Sequence, residues 1–300
     1  MRLATISTPG GPRAVLASRS GLVPFDQDPR TGRPPTVRGL ISAGIDQITK
    51  FPCGEPLPYE SATWLPPLGD PAHIFCIGLN YETHRMEGGR QRTDHPTVFL
   101  RAASSQVGHL APLVKPRVSH QFDYEGELAA IIGRGGRHIP ADRALEHVFG
   151  LSCYNDASVR DWQNHTSQWT PGKNFAGTGA FGPEIVTLDE IDDLSRVVLS
   201  TRINGIELQH AQVAEMTFPI PHLIEYVSTF CELRSGDVIV TGTPGGVGMR
   251  REPQVFLRPG DLVEVQVTGV GTLSNTVIAE AEVTDGNVAP PLSALSDLAG

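Results

Sequence analysis

The sequence predicts an α+β, β-rich protein whose strands build a sandwich or roll rather than a parallel βαβ sheet. Three observations carry this expectation. Glycine and proline are abundant, 32 and 25 of 300 residues, which favours short elements joined by turns. Toward the C-terminus, "DVIVTGTPGGVG" and "GDLVEVQVTGVGTLSNTVIAEAEV" run strand after strand, with period-two alternation and Gly turns. Helical periodicity is sparse, and its best instance is "PIPHLIEYVSTFCEL".

Residues 1–67 read as a small β-rich domain. "RLATIS", "RAVLAS" and "GLVPF" are short strands between Gly and Pro turns, and "VRGLISAGIDQITKF" is a helix. The Pro-rich "LPYESATWLPPLGDPAH" reads as a linker. From "HIFCIGLNY" the texture changes to short apolar strands ended by Gly or polar clusters, and residues 68–285 are expected to form the main unit. Within it, "DRALEHVFG" fits a helical turn. Residues 286–300, containing "APPLSALSDLAG", are expected to be a loose tail.

The formal net charge of -9 argues against nucleic acid or an anionic membrane as partner, since both need clustered Lys and Arg. It is compatible with carboxylates kept for a cation. Cys53, Cys76, Cys153 and Cys231 are widely spaced and form no Cys-x-x-Cys, so they read as reduced core thiols of a cytoplasmic protein. No stretch approaches the roughly 18 apolar residues of a membrane helix. "MRLATISTPGGPRAV" lacks the continuous apolar block of a secretory signal.

The chemistry concentrates in "FDYEGELAAIIG". On a strand, residues i and i+2 share a face, so Glu125 and Glu127 present two carboxylates side by side at the entrance to an apolar run. Alone, such a pair is a solvated strand end; buried, it needs a cation between its members. Asp156 follows the apolar "FGLSCYN", where a buried strand meets a loop, although "NDAS" is also good capping sequence. Three carboxylates without a His or Cys ligand pattern suit a hard cation, Mg²⁺ or Mn²⁺, better than zinc. In "NYETHRMEGGRQRTDH", His84 and Glu87 at i and i+3 share a helical face. A carboxylate behind an imidazole raises its basicity, as suits a general base. Gly88 and Gly89 then suggest a lid over about residues 82–95. Tyr81 and Gln163 are further pocket candidates, whereas Arg160 and Asp161 read as a structural ion pair.

The ordered set "IGLNYETHRMEGG", "DYEGELAAIIG", "NDASVRDWQ", "QWTPGKNF", "INGIELQ", "TGTPGGVG" and "LRPGDLVEVQVTGVGTLSN" resembles the fumarylacetoacetate hydrolase family over about residues 73–277. The resemblance implies a mixed β-sandwich roll after a small N-terminal domain. It also implies a divalent-metal enzyme acting on 2-oxo or 2,4-dioxo acids. Glu125, Glu127 and Asp156 match the metal carboxylates, Lys173 the active-site lysine, and Thr243 the threonine that holds a substrate carboxylate. His84 and Glu87 match the water-activating dyad of several members. Arg101 stands where many members have lysine, and its fork could bind a second substrate carboxylate. Val159 and "KNFAGTG" also depart from the common pattern. The expected function is Mg²⁺- or Mn²⁺-dependent hydrolysis of a C–C bond in an acylpyruvate-like acid by a homodimer, releasing pyruvate and a carboxylic acid. The alternatives are oxaloacetate decarboxylation, isomerisation or hydration of an aromatic-catabolism 2-oxo diacid, and non-catalytic binding.

Overall fold

In the computed structural model, which describes residues 1–28, 31–51 and 53–281, the alternating and apolar segments pair into two main sheets. The larger, of eleven strands, has a nine-strand path. Its order is Gly21–Pro24, Gly11–Ser18, Arg2–Thr8, Gly179–Thr187, Val148–Asn155, Gly126–Ile132, Val238–Val240, Ile74–Gly78 and Thr97–Leu100. Thr63–Leu65 and Gln106–Val107 pair beside that path. The smaller sheet runs Ile206–Gln212, Val198–Ile203, Leu262–Val267, Gly271–Ala279 and Leu113–Lys115. Most pairs are antiparallel, but Val238–Val240 lies parallel to Ile74–Gly78 and Gly271–Ala279 parallel to Leu113–Lys115. The α+β, β-rich class is therefore the fold observed. The expected tail, residues 286–300, lies outside the described residues.

The core sits between the sheets. Leu128, Ala130, Ile132 and Leu151 of the larger sheet pack with Leu199, Val263, Val265 and Val267 of the smaller. The other face of the same strands, through Ala129, Ile131 and Val240, packs against Leu40 and Ile41 of the helix Val37–Ala43. Gly126–Ile132 and Val148–Asn155 are buried at every residue, which explains their mostly apolar texture. The helix Ile220–Phe230 buries Ile220, Leu223, Ile224 and Val227, the spacing that its sequence announces.

Three elements differ from expectation. "VRGLISAGIDQITKF" breaks into Val37–Ala43 and Ile45–Ile48 at Gly44, whose φ of 88° no continuing helix adopts. The Pro-rich segment is not only a linker: Thr63–Leu65 pairs with Arg2–Thr8 and buries Trp64. "DRALEHVFG" forms a 3₁₀ turn, Ala141–His147, and then enters the next strand. The first strands carry a small core of their own, including Ile6, Val15, Leu22 and Trp64. They also join the large sheet through Leu3 opposite Ile185, so that sheet runs across the expected boundary near residue 67.

Gly126, between the two glutamates, is where the sheets touch. A Cβ there would stand 1.9 Å from Thr201 Oγ1, whose hydroxyl is buried without a hydrogen-bond partner. Gly126→Ala is expected to cost about 1–3 kcal/mol by overpacking. Adding Thr201→Ala should recover part of that loss, because the nearest clashing atom is removed. Denaturant midpoints of the two single variants and the double variant measure the coupling; strictly additive losses would refute the contact.

Candidate active site and metal centre

Antiparallel register assembles the carboxylates. Gly126 lies opposite Asn155, so Glu125 and Asp156 meet where the two strands begin and end. Asp156 N donates to Glu125 O at 2.8 Å, and Glu125 N to Asn155 Oδ1 at 3.1 Å. Two residues on, Glu127 turns to the same side. Oxygens of Glu125, Glu127 and Asp156 lie within 4.8 Å of one another, and all three residues are buried.

Three cations converge on this cluster. Lys173, from the short helix Thr170–Lys173, places Nζ 2.6 Å from both Glu125 Oε2 and Asp156 Oδ2. Arg160 Nη1 lies 2.7 Å from Glu125 Oε1, and its Nε donates to Asp123 Oδ2 at 2.8 Å. Arg101 Nη1 donates to Asp156 Oδ1 at 2.6 Å. Glu127 has no ion pair among the described residues; its Oε2 accepts only the Gly242 amide, at 2.5 Å. Burial and the nearby Asp156 and Glu125 carboxylates hold Glu127 well above the usual carboxylate range. Glu125 is the opposite case: burial works against its charge, but Arg160 and Lys173 prevail and hold it well below that range. A buried carboxylate without a counter-ion, beside two more and with no soft ligand, fits a hard divalent cation.

His84 and Glu87 lie on the helix Glu82–Glu87, with Nδ1 2.7 Å from Glu87 Oε1. His84 lines the same pocket as the three carboxylates, Lys173 and Thr243. The "TGTPGGVG" loop stitches the parts together. Gly242 N reaches Glu127, Gly246 N donates to Glu87 Oε2 at 2.8 Å, and Gly248 N to Asp123 Oδ1 at 2.8 Å. Gly246, at φ +102°, would drive a Cβ within 2.2 Å of Leu208 O, so glycine is required for this approach.

The remaining expected residues divide. Gln163 and Thr243 line the pocket. Gln163 Oε1 accepts from Arg160 at 3.0 Å, while the Thr243 hydroxyl donates to Gly126 O and accepts from Gln209. Tyr81 is buried outside the pocket lining, and its hydroxyl has no hydrogen-bond partner. Arg101 is also outside that lining: its fork is engaged by Asp156, the Ala157 carbonyl and Thr178. It braces a carboxylate of the protein and does not reach the pocket. The expected Arg160–Asp161 pair does not form, because Arg160 turns into the pocket and Asp161 accepts from Ser119. Arg160 Nη2 is buried without a partner, as befits a group facing a ligand. Asp123 was not anticipated, although period-two alternation places it on the face of Glu125 and Glu127. Arg90 and Arg250 also line the pocket.

Buried carboxylates beside an imidazole–carboxylate dyad, on a mixed β-sandwich, define the class of fold and site. The profile of the fumarylacetoacetate (FAA) hydrolase C-terminal family matches residues 73–278, and the chain belongs to this family. Human oxaloacetate tautomerase, a mitochondrial protein, is 39% identical over 74% of this chain and 71% of its own. A fumarylacetoacetate hydrolase from Exiguobacterium antarcticum superposes with TM-score 0.79 and 33% identity, over 93% of this chain and 100% of that one. Maleylpyruvate hydrolase from Sphingobium sp. SYK-6, solved with manganese(II) and pyruvate, gives 0.75 and 25%, over 94% and 100%.

Metal ligation needs an ionised carboxylate, and Glu127 takes its proton above the usual range. Mn²⁺ affinity is therefore expected to fall with falling pH, starting above the ~4.3 of a free glutamate. Binding should release protons, and Glu127→Gln should lose that release. Calorimetric titrations in buffers of different ionisation enthalpy read this directly; affinity that is flat down to the usual glutamate range would exclude the linkage.

Proposed function

We propose that this protein uses Mg²⁺ or Mn²⁺ to hydrolyse a C–C bond of a 2,4-dioxo acid of the acylpyruvate type, releasing pyruvate and a carboxylic acid. The observation that carries the reading is the His84–Glu87 dyad in one pocket with the three carboxylates. Bound by Glu125, Glu127 and Asp156, the cation supplies Lewis acidity and charge neutralisation to the 2-oxo carboxylate end of the substrate. Arg160, with one free nitrogen, and Gln163 anchor that carboxylate. Glu87 accepts from His84 Nδ1 and is itself held by the Gly246 amide, which leaves Nε2 to take the proton of a water attacking C4. As the C3–C4 bond breaks, charge grows on the 2-oxo oxygen, where the Lys173 ammonium stabilises it. Thr243 supports this from beneath by fixing the Gly126 carbonyl between the glutamates.

A second reading, tautomerisation or decarboxylation of a dianionic oxo acid such as oxaloacetate, has its own support. Arg90 and Arg250 line the mouth without an ion-pair partner among the described residues, which suits a second carboxylate. The same constellation serves that chemistry, with His84 moving a proton at C3 in tautomerisation. A homodimer in the cytoplasm completes the proposal. The four cysteines, all free, fit a reducing compartment, although only Cys76 and Cys153 are core thiols, Cys53 being exposed and Cys231 half-buried; no helix among the described residues is long and apolar enough to cross a membrane.

Hydrolysis needs an activated water, so His84→Ala should slow acylpyruvate cleavage by roughly 10²–10⁴. Oxaloacetate decarboxylation, which needs no water, should fall far less, while Glu125→Ala should abolish both. Pyruvate and oxaloacetate assays on one preparation at fixed Mg²⁺ separate the cases. Acylpyruvate cleavage within about twofold of wild type in His84→Ala would remove the hydrolase reading.

A further inference from the structure

Lys173 lies in an unusual place for a residue that serves only the substrate. Its ammonium bridges Glu125 Oε2 and Asp156 Oδ2 at 2.6 Å each, between two of the three carboxylates that fit the metal. The opposite oxygens of both carboxylates are already taken. Arg160 holds Glu125 Oε1 and Arg101 holds Asp156 Oδ1. These arginines are anchored elsewhere too, Arg160 by Asp123 and Gln163, and Arg101 by Ala157 O and Thr178. Beyond the two carboxylates, Lys173 Nζ meets the Asp156 carbonyl at 3.2 Å and, 5.0 Å from its centroid, the Phe99 ring, with no further carboxylate among the described residues. The arginines are thus fixed forks, while lysine carries a compact charge on a flexible four-carbon stem.

We infer that the Lys173 ammonium competes with the divalent cation for Glu125 and Asp156, so that this side chain sets how tightly the site holds its metal. The inference rests on the metal reading of the site. A cation that takes Glu125 Oε2 and Asp156 Oδ2 must take them from lysine. If lysine stays nearby, two like charges share one low-dielectric site. In either case removing the ammonium favours the metal.

Lysine is scarce in this chain: Lys50, Lys115 and Lys173 are the three present, which makes the test clean. Mn²⁺ dissociation constants are measured by calorimetry on wild type, Lys173→Met, Lys173→Gln and Lys173→Arg. Both neutral variants are expected to bind Mn²⁺ about tenfold more tightly, or better, as one cation is removed beside a divalent ion. They should lose turnover at the same time, and Lys173→Arg should stay near the wild-type affinity. In parallel, the ¹⁵Nζ signal of Lys173 in the wild-type protein should move with added Mg²⁺ along the binding isotherm, a readout that survives if a variant fails to fold. Unchanged or weaker Mn²⁺ binding in a folded neutral variant overturns the inference, as does a Lys173 signal unmoved at saturating Mg²⁺. Absence of Mn²⁺ binding to wild type would instead remove the metal reading, and this inference with it.

Discussion

The site is organised by the cost of keeping like charges out of water. Asp123, Glu125, Glu127 and Asp156 are all buried and adjacent, against Arg101, Arg160 and Lys173. A buried carboxylate is tolerated only when paired or richly hydrogen bonded. Each neighbouring element follows from that requirement. The helices Arg160–Gln163 and Thr170–Lys173 are single turns that deliver one cation each. Arg101 arrives from beyond the edge strand Thr97–Leu100. Only Glu127 is left without a cation of its own, and the proposed metal site rests on that asymmetry.

The loop after Val238–Val240 makes this carboxylate cluster and the dyad one object. Its amides reach Glu127, Glu87 and Asp123, which lie on three separate elements. Backbone amides are donors that cannot titrate or swing away, so they fix carboxylates more rigidly than lysines would. The glycines of "TGTPGGVG" therefore serve close approach to the protein's own carboxylates.

Much of this was legible in the sequence, where local periodicity decides the outcome. Glu125 and Glu127 share a side because strand side chains repeat every two residues, and the same rule applied one step earlier reaches Asp123. His84 and Glu87 meet because helical neighbours three apart face each other. What could not be read depends on register between distant segments. Arg101 touches Asp156 across 55 positions, and Arg160 touches Asp123 across 37. Adjacency in sequence suggested Asp161 for the latter, but the side chains of consecutive residues diverge. The strand within the Pro-rich segment was hidden for the same reason, since Thr63–Leu65 is short and defined by its partner rather than by its own pattern.

The pairing of Arg2–Thr8 with Gly179–Thr187 has a consequence for assembly. Gly179–Thr187 is nine residues long, is almost wholly buried and lies next to the strand that ends at Asn155. Its outer side is shared: Gln106–Val107 pairs with Gly179 and Ala180, and the N-terminal strand with Ile185 and Val186, so without the N-terminal strands its far end would offer unpaired amides and carbonyls to a passing strand. The meander that covers it ends in Gly21–Pro24, four residues closed by a proline, which is a poor partner for further strands. The first sixty-odd residues therefore move the edge of the sheet away from Val148–Asn155, and Leu57, bonded in both directions to Leu22, closes part of the new edge.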